Sequence, residues 1–125
     1  MPAFFGREGG TNMKIMIAIF RNDVAPRFDL TVEAVFVQLE NGSIAGEPRE
    51  LLLSEPSGDE LCGLAVSEAA DLVICGGIDE VHYEYLNWKK IRIIDGIIGP
   101  YQEALELLLQ DRLAPNAIMP GAVSS

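Results

Sequence analysis

The clearest fold signal in the chain is the stretch Asp71-Leu72-Val73-Ile74-Cys75-Gly76-Gly77-Ile78. It is a short apolar run that ends in a cysteine and a pair of glycines. Such a run predicts a buried strand, and the glycines predict a tight turn into a following helix. The pattern returns downstream, where a strand over Lys90–Ile94 leads into a turn at Asp95-Gly96 and then into another helix. Strands that alternate with helices in this way predict parallel strands joined by right-handed crossovers.

Three further strands are predicted upstream of this stretch. Met13–Phe20 is nearly all apolar, which is typical of a central strand, and Val32–Leu39 is rich in β-branched and aromatic residues. A turn signal at Asn41-Gly42 then leads to a third strand over Glu47–Leu53, in which Pro48 favours an edge position. We expect these three strands to form an antiparallel unit.

Three helices are predicted between and after the later strands. The first is opened by Ser57 and Glu60, which have the spacing of a capping box. The second covers about Asp79–Trp88, and the third runs from about Pro100, a residue favoured in the first helical turn, to about Leu113. We therefore predict the α/β class, as a three-layer mixed sheet with the element order βββαβαβα and the first strand near the middle.

The composition is that of an ordinary globular domain. The chain has 125 residues, 49% of them hydrophobic and 22% charged, and this length predicts one domain. Two cysteines are too few for a disulfide scaffold, and no apolar run approaches the roughly 20 residues of a membrane-spanning helix. The 9 basic and 19 acidic residues give a net charge of -10, which repels phosphate backbones. We expect neither a nucleic acid nor a membrane among the partners.

The two ends of the chain differ from its middle. Residues 1–12 show no periodicity and are predicted to be a disordered tail or a miscalled start, because Met13 offers a second start. The folded domain is predicted over residues 13–113 and a C-terminal tail over residues 114–125. Residues 1–12 also lack the pattern of a secretory signal, so we expect a cytoplasmic protein with reduced thiols.

Three segments are expected to meet beyond the carboxyl ends of the parallel strands, where open α/β sheets bind ligands. They are the Arg21–Asp29 loop, the turn at Gly76-Gly77 and the turn over residues 95–99. Free amides at helix starts favour anions, glycines let a ligand approach the backbone, and Arg21 and Arg27 add positive charge. The hypothesis is an anion-binding crevice. The alternative is that the glycines only make tight strand-to-helix turns.

Cys75 is the most suggestive single residue. It closes a strand near a helix start, where a thiolate is stabilised and could ligate a soft metal or an iron–sulfur species. The alternative is a small buried residue at the end of a core strand. Cys62 lies beside the apolar stripe of the first predicted helix and is expected to have a simple packing role. His82, the only histidine in the sequence, is expected to be a partly buried helix residue, with a ligand role as the alternative.

Four motifs together point to a known family. Met13-Lys14-Ile15 opens an apolar strand, and the loop after it ends in Val24-Ala25-Pro26-Arg27-Phe28-Asp29. The stretches 71–78 and Ile93–Gly99 complete the ordered set. Over about residues 13–113, the chain resembles the dinitrogenase iron–molybdenum cofactor biosynthesis family, which includes NifX, NifB C-terminal and NafY types of domain. The resemblance implies a ribonuclease-H-like fold and the carriage of iron–sulfur or iron–molybdenum cluster precursors for nitrogenase.

The resemblance also implies roles for individual residues. Cys75 would be the remaining metal ligand, and the contacts to an anionic cluster would come from Arg27, Phe28, Gly76, Gly77, Gly96 and Gly99. The sequence departs from the family at the loop, which commonly reads His-Phe-Gly and here reads Arg27-Phe28-Asp29. A guanidinium stays protonated and has no lone pair for a metal, so it pairs with an anion instead.

The leading hypothesis is therefore a non-enzymatic carrier of an iron–sulfur or iron–molybdenum cluster precursor. Its expected partners are metal-cluster biosynthesis or acceptor proteins, and an exposed edge of the third strand could pair two chains in a homodimer. The alternative is a non-metal module on the same fold that binds a small anion or a protein, which the loss of the loop histidine favours. Catalysis is not expected, because Met13–Phe20 contains no acidic residue for a two-metal site and the sequence has no nucleophile-elbow or phosphate-loop motif.

Overall fold

A computed structural model describes residues 12–122 and shows a mixed sheet with helices on both faces. The strands within this range are β1 (Asn12–Phe20), β2 (Asp23–Val24), β3 (Glu33–Glu40), β4 (Ser43–Leu52), β5 (Leu72–Ile74) and β6 (Arg92–Ile94). The helices within it are α1 (Gly58–Ser67), α2 (Glu80–Trp88) and α3 (Tyr101–Leu109), and a 3-10 turn covers Phe28–Leu30. The predicted α/β class is confirmed.

The sheet has the strand order β4-β3-β1-β5-β6, and the short β2 pairs with β1 outside this path. Antiparallel pairing joins β4 to β3, and β3 to β1, whereas β1, β5 and β6 are parallel. The central place of the first strand and the edge place of the strand with Pro48 are therefore confirmed. Because three parallel strands end at Phe20, Ile74 and Ile94, these ends lie along one border of the sheet, which we call the carboxyl edge.

Side chains of β1 alternate between two apolar layers, as the period of a strand requires. Ile15 and Ile17 belong to one buried cluster, which also contains Leu108 of α3. Met16 belongs to the other cluster, which contains Leu61 of α1 and Leu86 of α2. The sheet is thus covered on both faces, which explains why β1 reads as a continuous apolar run.

Local signals account for most element boundaries. The Ser57 side chain accepts a hydrogen bond from the Glu60 amide at 3.0 Å, so the predicted cap of α1 is confirmed. The prediction placed the end of the third helix at Leu113, but α3 ends at Leu109. The reason is the backbone at Asp111, whose φ of 60° is incompatible with a continuing right-handed helix.

Two strands differ from their prediction. β2 was not predicted, because a pair of residues carries no periodicity. β4 begins at Ser43 instead of Glu47, and its register with β3 shifts between Phe36 and Gln38. The shift is a bulge-like irregularity that interrupts the alternation on which a sequence prediction rests.

The structure describes part of each of the two segments that were predicted to be tails. β1 begins at Asn12, inside the segment predicted as a tail or miscalled start, and residues 1–11 lie outside the described residues. In the segment predicted as a C-terminal tail, Met119 is buried in the core beside α3, and the Ile98 amide donates a hydrogen bond to the Ala117 carbonyl at 3.1 Å. Residues 114–122 thus extend the folded unit past Leu113, while residues 123–125 lie outside the described range. Within residues 12–122, no helix has the length and apolar character to span a membrane.

Candidate functional site

The three segments expected at the carboxyl edge do meet there. The Phe28 amide donates to the Gly77 carbonyl at 2.8 Å, and the Gly77 amide donates back to the Pro26 carbonyl at 2.8 Å. The Gly96 amide donates to the Gly76 carbonyl at 2.9 Å. Backbone hydrogen bonds therefore tie the loop after β1 to the turn after β5, and that turn to the turn after β6.

The same hydrogen bonds occupy two of the four glycine amides that were predicted to contact an anion. The amides of Gly77 and Gly96 both donate to carbonyls of neighbouring segments, and at the start of α3 the Tyr101 amide donates to the Asn22 carbonyl at 3.0 Å. The geometry thus opposes an anion crevice built from the amides of Gly77 and Gly96 and supports the alternative, in which the glycines form tight turns.

Close packing explains why glycine stands at two of these positions. A Cβ on Gly76 would lie 2.3 Å from the Ala25 carbonyl oxygen, which is a backbone atom. Gly99 has a φ of 116°, and a Cβ there would lie 2.7 Å from the Cβ of Met119. These residues let chain segments touch each other, which is a structural role, and their predicted contact with a ligand stays a prediction.

Cys75 is fully buried, at 0% exposure. Burial raises the pKa of its thiol, and the nearby Asp95 charge raises it further, so the thiolate that a metal requires is disfavoured. Phe28 is also fully buried, as a core residue between the loop and α1. The positions of both residues argue against their predicted ligand contacts. Among residues 12–122, no group of three or more His, Cys, Asp or Glu side chains could hold a metal ion.

An apolar hollow of about 470 Å³ lies at the carboxyl edge, beside the end of β1. We call it the Leu30 hollow. Leu30 and Phe20 are each more than half exposed there, at 57% and 53%. Its lining consists of Ile19, Phe20, Ala25, Pro26, Arg27, Leu30, Thr31, Val32 and Pro56. This hollow was not predicted from the sequence, although the apolar residues Phe20 and Leu30 at the two ends of a polar loop are a signal that could have shown it.

Two guanidinium groups border the Leu30 hollow. Arg27 lies in its lining and forms a two-point ion pair with Asp29, through Nε at 3.2 Å and Nη2 at 2.8 Å. Arg21 lies over the ring of Phe20, with its guanidinium carbon 5.2 Å from the ring centre. Both arginines of the predicted positive rim thus lie near the hollow, Arg27 in an ion pair with Asp29, on a chain whose net charge is -10. An arginine pair beside an apolar surface suits a ligand that has an apolar body and an anionic group.

His82 lies outside the Leu30 hollow, at the junction of two helices. Its Nδ1 is 2.6 Å from Asp79 Oδ1, and its Nε2 is 2.9 Å from Asp59 Oδ1. The side chain is only 16% exposed, and its ring centre is 5.8 Å from that of Phe28. Because carboxylates engage both ring nitrogens, the arrangement agrees with a partly buried helix residue and not with a ligand.

Known structures share this fold, although no protein-family profile and no curated protein matches the sequence. The crystal structure of PH0822 superposes with a TM-score of 0.76 at 19% identity, over 83% of this chain and 95% of that chain. The crystal structure of MJ0327 from Methanocaldococcus jannaschii, a protein provisionally described as a dinitrogenase, gives 0.69 at 20% identity, over 83% and 94% of the two chains. The NMR structure of MJ0327 gives 0.68 at 19% identity, over 94% and 99%. Identities this low establish the fold and leave the ligand open.

Proposed function

We propose that this protein is a non-catalytic binding domain whose ligand occupies the Leu30 hollow. The observation that carries the proposal is the hollow itself, a concave apolar surface of about 470 Å³ with the Arg27 guanidinium in its lining. Ligand pockets in proteins commonly measure about 300–1,000 Å³ and combine an apolar lining with few polar groups. The ligand is a small molecule with an apolar body and a carboxylate, sulfonate or phosphate group.

The lining of the hollow supports binding over catalysis. Within the described residues, the hollow has no carboxylate, imidazole or thiol in its lining to act as a general base, and the one hydroxyl there, of Thr31, donates to the Arg27 carbonyl at 2.7 Å. Arg27 contributes a fixed positive charge, and an anionic ligand would compete with Asp29 for it. The site is suited to hold a ligand and not to transform it.

The test is a titration with 8-anilinonaphthalene-1-sulfonate, a fluorescent probe with an apolar body and one sulfonate. We expect Leu30→Asp to raise the Kd about tenfold, since it removes apolar contact and sets a carboxylate against the sulfonate. Arg27→Gln should raise the Kd by a smaller factor, of about three. Val81→Asp is the matched control, because Val81 is 73% exposed on α2, outside the lining of the hollow, and receives the same new charge.

Circular dichroism and thermal melting would establish that each variant is folded. If Leu30→Asp and Val81→Asp bind the probe equally well, the probe does not occupy the Leu30 hollow and the proposal fails. Loss of probe binding in Val81→Asp alone would place the binding surface on α2 and would also overturn the proposal.

A second candidate function rests on the structural neighbours and on the family resemblance. MJ0327, which shares this fold, is provisionally described as a dinitrogenase, and this points to a nitrogenase-related role. The finer hypothesis is a carrier of an anionic iron–sulfur or iron–molybdenum cluster precursor on a ribonuclease-H-like fold. In this chain Arg21 and Arg27 could hold such a cargo by charge, whereas Cys75 is too deeply buried to ligate it without local opening.

Anaerobic incubation with an iron–sulfur or molybdenum–sulfur precursor tests the second candidate. Uptake should produce a charge-transfer absorption band that Cys75→Ala retains and Arg27→Gln weakens. The absence of a band with the wild-type protein would remove the candidate. A band that disappears in Cys75→Ala, with the fold intact, would restore Cys75 as a ligand and contradict the charge-only mode of binding.

A further inference from the structure

The ion pair between Arg27 and Asp29 lies at the rim of the Leu30 hollow. Arg27 is the one charged side chain in the lining that residues 12–122 form, whereas Asp29 lies outside this lining. Arg27 Nε donates to Asp29 Oδ1 at 3.2 Å, and Nη2 donates to Oδ2 at 2.8 Å. Asp29 therefore acts on a ligand in the hollow through Arg27 and through its own charge.

Asp29 engages one edge of the guanidinium and leaves another edge available. A guanidinium has five N–H donors in a planar fork, and Asp29 accepts from Nε and from one donor of Nη2. Among the described residues, no other acceptor bonds to the Arg27 side chain. The remaining donors include the parallel pair on Nη1 and Nη2, which matches the two oxygens of a carboxylate. A ligand can therefore bind Arg27 without displacing Asp29, and its competition with Asp29 is one of charge.

The backbone that carries Arg27 is fixed on both sides of the residue's carbonyl. The Thr31 hydroxyl donates to that carbonyl at 2.7 Å, and the next residue, Phe28, is fully buried. The Phe28 amide in turn donates to the Gly77 carbonyl at 2.8 Å. Together with the two-point contact to Asp29, these bonds orient the guanidinium, which lowers the entropy cost of ordering it when a ligand binds.

The second arginine near the hollow also has a carboxylate beside it. Arg21 lies over the ring of Phe20, and the Arg21 amide donates to Glu33 Oε1 at 3.4 Å. Nearby carboxylates thus offset much of the positive charge of both arginines, on a chain whose net charge is -10. Such a border attracts a second negative charge on a ligand far less than two unpaired arginines would.

We propose that Asp29 sets the charge selectivity of the Leu30 hollow: it orients the Arg27 fork toward a two-oxygen acceptor and offsets its charge, so that the site takes a monoanion such as a carboxylate and discriminates against a dianion such as a phosphate ester. The inference rests on the proposed function and narrows its ligand class. Asp29 is a positioning residue in this arrangement, because it acts on the ligand through Arg27.

The size of the effect follows from the distance between the charges. An anion on the Nη1–Nη2 edge lies about 6 Å from the Asp29 carboxylate, where repulsion in water weakens binding about threefold for each ligand charge. Removal of the Asp29 charge should therefore leave a neutral ligand unaffected, strengthen a monoanion about threefold and strengthen a dianion about tenfold. This dependence on ligand charge distinguishes a charge effect from a general disturbance of the hollow.

Three ligands with one naphthalene body provide the test: naphthamide, naphthoate and naphthyl phosphate, at about pH 8, where the phosphate carries about two charges. Displacement of 8-anilinonaphthalene-1-sulfonate gives each Kd, corrected for the affinity of every variant for the probe. The wild type should bind naphthoate more tightly than naphthyl phosphate. In Asp29→Asn the Kd of naphthamide should stay unchanged, that of naphthoate should fall about threefold and that of naphthyl phosphate about tenfold.

Two further variants serve as controls. Asp23→Asn removes one negative charge from the same loop, but Asp23 lies outside the lining of the Leu30 hollow and Arg27 pairs with Asp29. It should change each Kd by less than about twofold, because solvent and salt screen the more distant charge. Asp29→Glu keeps the charge and should keep the wild-type order of the three ligands. Circular dichroism would check that all variants are folded.

The outcomes separate this inference from the proposed function. Equal changes for the three ligands in Asp29→Asn, an equal effect of Asp23→Asn, or a wild type that prefers naphthyl phosphate would overturn the charge selectivity. The proposed function would stand in those cases if Leu30→Asp still weakens the binding of naphthamide. If none of the ligands binds, or if Leu30→Asp binds all three as the wild type does, both proposals fail.

Discussion

His82 joins the starts of α1 and α2 through both nitrogens of its imidazole. Asp79 caps α2 and lies 2.6 Å from Nδ1, while Asp59 in the first turn of α1 lies 2.9 Å from Nε2. Burial lowers the pKa of His82, but the hydrogen bonds to Asp79 and Asp59 outweigh it, and the net pKa is raised above its ordinary value. The hydrogen bond to His82 in turn lowers the pKa of Asp79. The folded state therefore favours an imidazolium between two carboxylates.

The pKa shifts fix the direction of a pH dependence. Because the pKa of His82 is raised, its contribution to stability is fully present below the unfolded value of 6.5 and is lost as the pH rises through the folded value. Asp79 contributes above its unfolded value of 3.8, and its contribution is lost as the pH falls through the lowered value. The stabilisation is thus greatest at mildly acidic pH.

We expect the free energy of unfolding of the wild type, relative to His82→Gln, to decrease as the pH rises above 6.5. Urea unfolding at constant ionic strength measures this difference. His82 is the only histidine of the chain, so the variant removes the histidine titration from this range altogether. A difference that stays constant from mildly acidic to alkaline pH would contradict the imidazolium assignment.

Two glycines of α1 provide a matched pair of substitutions. A Cβ on Gly58 would lie 2.5 Å from Cε1 of His82, whereas a Cβ on Gly63 would meet nothing within 4 Å. Gly58→Ala should therefore displace the imidazole and destabilise the protein by about 1–3 kcal/mol. Gly63→Ala should stabilise it by roughly 0.5–1 kcal/mol, because alanine is the better helix former. Chemical denaturation of the two variants checks the opposite signs, and a loss of stability in both would contradict this account.

Individual residues were predictable from the sequence where a local rule decides their role. Ser57 and Glu60 form the expected cap because their spacing alone fixes the contact. The chemistry of Cys75 was not predictable in this way. Its position after a strand suggested a reactive thiolate, but its burial depends on β6 and on the turn at Asp95, which lie about twenty residues downstream.

At the scale of elements, the carboxyl edge is held together by the turn after β5. The Gly77 amide and the Gly77 carbonyl both bond to the Pro26–Phe28 segment, and the Gly76 carbonyl accepts from Gly96. The same segment supplies Pro26 and Arg27 to the Leu30 hollow. The glycine pair therefore positions the loop that lines the proposed binding site, and it is not itself part of the lining.

Gly76 and Gly77 should differ in their tolerance of alanine. A Cβ on Gly76 would lie 2.3 Å from one backbone oxygen and 2.8 Å from another, whereas a Cβ on Gly77 would lie 3.3 Å from its nearest neighbour. We expect Gly76→Ala to cost about 3 kcal/mol or more and Gly77→Ala about 1 kcal/mol or less. Thermal and chemical unfolding measure both. Equal effects would mean that the close approach of the loop to Gly76 does not hold this edge.

Strands and helices with a clear apolar period were predictable, and their irregular ends were not. β1, β3, β5 and β6 follow from apolar runs, and their parallel or antiparallel order follows from the connections. β2 depends instead on pairing between Ile19 and Val24 across a short loop. Two residues are too few to show a pattern from which this strand could be predicted. The Leu30 hollow was not predictable for a similar reason, because it is formed between a strand end, a loop and Pro56, which precedes α1 and is distant in sequence.

At the scale of the whole molecule, residues 114–122 complete one apolar layer. Met119 is 1% exposed in the cluster that α3 forms with the sheet, and the Met119 amide donates to the Ile98 carbonyl at 2.8 Å. The Gly121 amide donates to Glu103 of α3 at 2.8 Å. The short, proline-containing sequence of this segment suggested a tail, because one buried methionine is too little apolar pattern to predict its packing.

Met119 and Ile118 form a neighbouring pair with opposite environments. Met119→Ala should lower the free energy of unfolding by about 2–4 kcal/mol, since it leaves a cavity in the core. Ile118→Ala, at a position that is 66% exposed, should change it by less than about 1 kcal/mol. Equilibrium unfolding in urea provides the comparison. If Met119→Ala were as mild as Ile118→Ala, the segment would not be an integral part of the fold.

Because both cysteines are buried, the rate at which each thiol reacts with an added reagent reports how often the structure around it opens. Cys62 and Cys75 are each at most 3% exposed, and burial raises the pKa of the Cys62 thiol to about 12. An alkylating reagent such as iodoacetamide should therefore modify the native chain only during transient opening. The order in which the two sulfurs acquire the label would reveal whether α1 or the end of β5 detaches first.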